Sequence, residues 1–218
     1  EPARRPGSVV VAAPAAGAGD LLTAVVERVG EDGLPTVLAA EPDAYLARLL
    51  RRRMALRGVE PPYQDIRVGT GLDEDAEPDA IVTQLPYTPG ESRSAPDVLD
   101  AIDRIGLGLA RNRTAVILGP ADVLTGALPL YSHAERRRTE LLGGGLVEAV
   151  LRMPGGLIPF RPGYETAVWV LNSVYSAGST PQQGRVLLGD VSDRRLTPDV
   201  VDALITDVVM WRREGAPK

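Results

Sequence analysis

Apolar and polar positions fall into blocks that read as strand, turn and helix, in repeated order. Ser8-Val9-Val10-Val11-Ala12-Ala13 is a short β-branched run that stops at Pro14 and a glycine-rich turn, as a buried parallel strand does. Asp20 then stands where a helix cap is wanted; Leu21, Leu22, Val25, Val26 and Val29 follow at helical spacing, and Gly30 closes the segment. The unit repeats: Pro35 to Ala40 is a strand ended by Glu41, and Asp43 to Arg57 a helix stopped by Gly58. Asp65 to Val68 and Asp79 to Thr83 are further strands, the second leading into the turn Gln84-Leu85-Pro86-Tyr87. A helix is expected over Pro96 to Ala110, a strand over Thr114 to Leu118 with Gly119-Pro120 at its end, and a helix from the capping-box pair Ser132 and Glu135 to Leu142. Gly143-Gly144-Gly145 ends that helix, and Leu146 to Leu151 is the next strand.

The tail has a different character. Ala167 to Leu171 and Arg185 to Leu188 are strands with no helix-length segment between them, which predicts an antiparallel edge. Thr197-Pro198-Asp199 starts a last helix with an apolar stripe at Val201, Leu204, Ile205, Val208 and Trp211. The fold class expected is α/β, a mostly parallel Rossmann-like sheet covered on both faces, with an antiparallel strand near the C-terminus. One domain over residues 1–218 is expected, with flexibility at 1–7 and 214–218 and in the loops Pro89 to Pro96 and Ser176 to Gln183.

Composition narrows the chemistry. With no cysteine and one histidine in 218 residues, thiolate metal sites and histidine-based triads are disfavoured. No apolar run approaches a membrane span and the first residues lack a signal-peptide core, so a soluble, cytoplasmic protein is expected. A net charge of −5 argues against a domain that grips nucleic acid unaided. All basic residues but Lys218 are arginine, a bias ascribed first to a GC-rich coding sequence.

Gly17-Ala18-Gly19 after a strand lets a cofactor approach the backbone, and a helix starting near Asp20 offers free N–H groups and a positive dipole end. Glu41, at the end of the second strand and 22 positions past Gly19, stands where nucleotide-binding α/β folds carry a ribose acceptor. The third glycine of a dinucleotide fingerprint would fall at Leu22, which disfavours NAD. The plainer reading of the same residues is a tight turn beside an exposed acid.

The order of strand, Pro-x-x-Gly-x-Gly, strand-end acid, strand and Pro-Tyr turn resembles the adenine-specific (N6) DNA methyltransferases, most of all the methylation subunits of type I restriction-modification systems. Their first motif reads Asp-Pro-x-Cys-Gly-Ser-Gly, against Ala13-Pro14-Ala15-Ala16-Gly17-Ala18-Gly19; their catalytic one reads Asn-Pro-Pro-Tyr or Asn-Pro-Pro-Phe, against Gln84-Leu85-Pro86-Tyr87. The resemblance continues through Ala115 to Leu118, Val123-Leu124, Arg136 to Leu142, Leu146 to Val150, Pro154 to Leu157 and Thr166 to Asn172, spanning Val9 to about Asp193.

This resemblance implies S-adenosylmethionine held by Pro14, Ala16, Gly17, Gly19, Glu41 and Thr70, with Glu41 on the ribose. It implies a flipped adenine at Gln84, Leu85, Pro86 and Tyr87: the Gln84 side chain and Leu85 carbonyl accept from the amine, and Tyr87 stacks on the base. It also implies DNA as a partner, reached with help from a specificity subunit or a further domain, and no membrane. Four positions depart from the family pattern: Ala13 and Thr70 where it has acids, Gln84 for asparagine, and Leu85 for proline. Asp73 stands near Thr70 as an alternative acid. The family's upstream Thr-Pro segment is not among these residues, so a fragment of a longer protein is expected. A catalytically impaired module of this fold, serving DNA or partner binding or assembly, is the second reading. A nicotinamide-dependent oxidoreductase is the third, against which Leu22 and the antiparallel tail both count.

The remaining features have bland readings. The run Arg48 to Arg53 reads as a charged outer helix face, Arg136-Arg137-Arg138 likewise, and His133 as a first-turn helix residue. Tyr164 and Phe160 line either the base pocket or packed loops, and Trp169 and Trp211 are expected in the core.

Overall fold

The computed structural model describes residues 7–30, 33–73, 76–86, 93–158, 163–173 and 185–214. Tyr87, Phe160, the Ser176 to Gln183 loop, much of the Pro89 to Pro96 loop, and nearly all of both termini expected to be flexible lie outside them. The chain forms two compact units, residues Glu1–Glu91 with Gly108–Val116 and residues Ser92–Leu107 with Ile117–Lys218.

In the first unit, strands β1 (Val10–Ala13), β2 (Thr36–Glu41), β3 (Gln64–Val68) and β4 (Ala80–Gln84) lie in the order β3-β2-β1-β4. Neighbours are parallel, in register Val10 with Thr36, Val37 with Gln64, and Val11 with Ala80. Helices α1 (Asp20–Val29) and α2 (Ala44–Leu56) connect the first three strands. Leu22 and Val26 of α1, Leu50 and Met54 of α2, and Val11, Val37 and Ile66 of the strands close one apolar core, the burial that makes a parallel sheet read as continuous apolar runs. Asp43 caps α2, its side chain accepting from the Tyr45 and Leu46 N–H groups at 2.7 and 3.2 Å. Asp20 does not cap α1. It is the first helical residue, the cap position belongs to Gly19, and the Asp20 carboxylate instead pairs with Arg53.

The second unit contains α3 (Ala95–Leu107), the end of β5 (Thr114–Pro120), α4 (Ala121–Leu124), α5 (His133–Gly143), β6 (Val147–Arg152), β7 (Thr166–Asn172), β8 (Leu187–Asp190) and α6 (Pro198–Glu214). Its strands run β5-β7-β6-β8. β7 is antiparallel to β6, Val150 facing Trp169, whereas β8 is parallel to β6, Val150 facing Leu188. The antiparallel strand is therefore internal and the edge strand parallel to its neighbour, which corrects the expected antiparallel edge. Two successive reversals return the chain to its former direction, and β8 pairs with β6 rather than with β7.

Trp169 and Trp211 are both buried. At Gly106 of α3 a Cβ would stand 2.3 Å from Leu146 Cδ2, so the Leu146 side chain packs into the space that the glycine leaves. The rest of the α6 stripe is not core: Val201 is 40% and Ile205 49% exposed. An ion pair buried at its carboxylate end seats this helix, with Arg212 donating from Nε and Nη2 to Glu148 at 2.8 and 2.6 Å. Ser132 caps α5 by accepting from the Glu135 N–H, His133 is the exposed first residue of the helix, and Arg137 pairs with Asp103 at 2.6 Å. No helix among the described residues is long and apolar enough to cross a membrane.

Candidate active site

In the first unit the strand order changes direction between β1 and β4: from β1 the chain moves outward to β2 and β3, then returns to place β4 on the other side of β1. Such a switch point opens a crevice beyond the carboxyl ends of the two strands, because the connections leave in opposite directions. The Pro14 to Gly19 turn follows β1 there, and Gln84, Leu85 and Pro86 end β4.

Backbone hydrogen bonds tie the neighbouring strand-end loops together. Ala16 N–H donates to the Ala40 carbonyl at 2.9 Å, Gly69 N–H to the Glu41 carbonyl at 3.1 Å, and Gly71 N–H to the Pro14 carbonyl at 3.3 Å. The Glu41 side chain is the central strut: Oε2 accepts from Gly17 N–H at 2.7 Å and Oε1 from Asp43 N–H at 2.9 Å, with the residue only 5% exposed. Pro14, Ala16, Gly17 and Glu41 are thus joined in one cluster with the loop that carries Thr70, itself exposed.

The two glycines differ in what they permit. Gly19 (φ 84°) packs against α2, where a Cβ would lie 2.2 Å from Leu50 Cδ1. At Gly17 (φ 56°) a Cβ would meet no atom within 4 Å, so the turn faces open space. Glycine at the first permits helix packing, and at the second leaves the backbone accessible.

Arg53 is a part of the site that the sequence reading assigned to an outer face. Its Nη1 donates to the Ala18 carbonyl and to Asp20 Oδ1, both at 2.7 Å, bracing the glycine turn from α2. Arg51 donates to the Ile66 carbonyl, whereas Arg48 and Arg52 are exposed as expected. The available signal was spacing: Arg51 and Arg53 flank Leu50 and Met54, the buried positions of α2. Asp73, the alternative to Thr70, is engaged by Arg67 at 2.5 Å; Asp65 and Asp73 together hold that guanidinium above its ordinary pKa.

Gln84 is half-buried, Leu85 is buried, and the Leu85–Pro86 peptide is cis. Ala13, at the end of β1, is 2% exposed. The fourth member of the turn, Tyr87, is outside the described residues.

No family model matches the sequence, and no curated protein does. Solved structures do. The methyltransferase subunit of the type I restriction-modification system of Streptococcus thermophilus superposes with a TM-score of 0.71 at 18% identity, over 93% of this chain and 48% of its own. A Listeria monocytogenes protein assigned to the class I S-adenosylmethionine-dependent methyltransferases gives 0.68 at 17% identity, over 94% and 64%. A modification subunit assigned to a type I restriction enzyme of Vibrio vulnificus YJ016 gives 0.60 at 15% identity, over 96% and 49%. The fold is the S-adenosylmethionine-dependent methyltransferase fold. The chain spans about half the length of the two type I subunits.

Proposed function

We propose that these residues form one methyltransferase core domain, part of a longer protein of restriction-modification type, that transfers a methyl group from S-adenosylmethionine to the N6 amine of adenine in DNA. The observation that carries the reading is the cluster at the switch point, where the Gly17 to Gly19 turn, Glu41 and the Gln84 to Pro86 segment lie at carboxyl ends of neighbouring parallel strands.

The residues fit the cofactor. Gly17 faces open space. Each Glu41 oxygen uses one acceptor site on a backbone amide and keeps another for a ribose hydroxyl. The free N–H groups at the start of α1 add a positive pole.

S-adenosylmethionine supplies an electrophilic methyl group on a sulfonium. With the cofactor bound, its sulfonium would be the leaving group for methyl transfer to the adenine amine, whose proton would pass to water. This chain's part is positioning. Gln84 Oε1 and the Leu85 carbonyl accept from the two amine hydrogens, orienting the lone pair and drawing density toward nitrogen, and Tyr87 stacks on the base. Against the family's asparagine, Gln84 carries its amide about one C–C bond farther out, beyond the ~0.5 Å precision a productive site keeps. Shortening it is expected to raise the rate. The net charge of −5 argues that any nucleic-acid contact of this chain is local, or is shared with a specificity subunit or another domain.

One observation favours a second reading, a module of the same fold that binds DNA or a partner without turnover: Ala13 is buried at a position where the family resemblance implies an acid. Transfer of labelled methyl groups to adenine-containing oligonucleotides separates the two. Gln84→Asn is expected to increase transfer and Gln84→Ala to reduce it at least tenfold, in line with removal of one acid–base or positioning contact. An unchanged rate in Gln84→Ala rejects the assigned role, and no transfer by any variant favours the second reading.

A further inference from the structure

The second unit holds a cleft of about 440 Å³ whose lining includes Arg93, Asp122, Thr125, Arg152, Tyr164 and Glu165, and which shares no residue with the cluster around Glu41. We propose that it takes an unpaired guanine of single-stranded or locally opened nucleic acid, with Arg93 and Asp122 reading opposite edges of the base. The inference deepens the proposed function, on which its choice of nucleic acid rests.

The lining is neither apolar nor uniformly charged. Arg152 is neutralised by Glu165 at 2.9 Å, forming a wall. The Arg93 guanidinium lies 5.5 Å from the centre of the Tyr164 ring and has no carboxylate partner among the described residues. That stack occupies one face of the guanidinium and leaves its edge donors available. Asp122 accepts through Oδ1 from its neighbour Val123 N–H at 3.0 Å and forms no ion pair among the described residues. The cleft therefore presents one open cation and one open carboxylate.

The backbone that carries Asp122 is braced. Arg138 Nη1 donates to the Val123 and Gly126 carbonyls at 2.9 and 2.7 Å, and burial lowers the pKa of that arginine. Gly126 has no room for a side chain, since a Cβ would stand 2.6 Å from the Asp122 carbonyl oxygen. Ala121 N–H donates to the Glu165 carbonyl at 3.0 Å, joining this floor to the wall. Groups held on fixed backbone can discriminate between ligands that differ by one hydrogen bond.

The chemistry selects the ligand. Two guanidiniums and two carboxylates leave the lining with no net positive charge to hold a bare phosphate, whereas a neutral heterocycle with acceptors on one edge and donors on the other is matched. Guanine offers O6 and N7 to a bidentate arginine and its amino group to a carboxylate. The volume lies at the small end of ligand pockets, which run from ~300 to ~1,000 Å³.

The test is fluorescence anisotropy of the intact chain with short labelled single strands at low salt, all thymine or carrying one central guanine. The guanine strand is expected to bind about tenfold more tightly, the discrimination a bidentate pair provides. Replacing guanine by 7-deazaguanine or by hypoxanthine should each remove most of that preference. So should Arg93→Lys, which keeps charge but not the fork, and Asp122→Asn. Both side chains are exposed, so these variants are expected to fold. Equal affinity for the two strands overturns the inference, as do no binding at all, a guanine preference that survives both variants, or binding that inorganic phosphate abolishes without any base preference. S-adenosylmethionine binding by calorimetry separates the two claims. Cofactor heat without guanine preference rejects the cleft alone, and guanine preference without cofactor heat rejects the methyltransferase reading alone.

Discussion

A Cβ at Gly19 would enter the space of Leu50, which is fully buried, on a backbone already in the left-handed region. Gly19→Ala is therefore expected to cost about 2 kcal/mol or more, from αL strain and overpacking together. Gly17→Ala, with the same sign of φ and open space around it, should cost only about 1 kcal/mol from the backbone. Urea melts of the two variants check the order, and equal losses would contradict the packing role of Gly19. At this scale the sequence was informative where backbone geometry demanded a residue type: Gly17, Gly19 and Glu41 were legible because a turn after a strand and an acid at a strand end are local patterns. Arg53 was not legible, because its partners Ala18 and Asp20 lie more than thirty residues away.

Helix α6 shows what an element's pattern leaves open. Its apolar stripe predicted packing along the whole helix, yet apart from Trp211 its positions are partly or largely exposed, and the Arg212–Glu148 pair seats it, with the Asn172 amide 3.5 Å from the same carboxylate. An ion pair 64 residues apart in sequence leaves no periodic signature. The pair also makes an asymmetric prediction. Arg212→Ala strands a carboxylate of 0% exposure and should cost about 3–5 kcal/mol. Glu148→Gln leaves an arginine that is 39% exposed and can turn to water, so it should cost clearly less. Chemical denaturation of both variants checks the ranking; equal or reversed losses would mean that packing, not the buried charge, seats the helix.

For the whole molecule, the alternation of strands and helices was readable because buried parallel strands form continuous apolar runs and glycines and caps punctuate the helices, as at Gly58, Asp43 and Ser132. Strand order within the second unit was not readable in the same way. The pairing of β8 with β6 joins residues some 38 positions apart, such as Val150 and Leu188, and leaves no local pattern in the sequence. The four positions that differ from the motifs of the resembled family, Ala13, Thr70, Gln84 and Leu85, fall at the last residues of β1 and β4 and in the loops that follow β3 and β4. Every proposed role of Gln84 and Leu85 depends on cofactor held at the Gly17 to Gly19 turn. The direct measurement is isothermal titration of S-adenosylmethionine into the intact chain. Saturable heat is expected, weakened about tenfold or more in Glu41→Ala through loss of charged hydrogen bonds. No heat at millimolar ligand would contradict it.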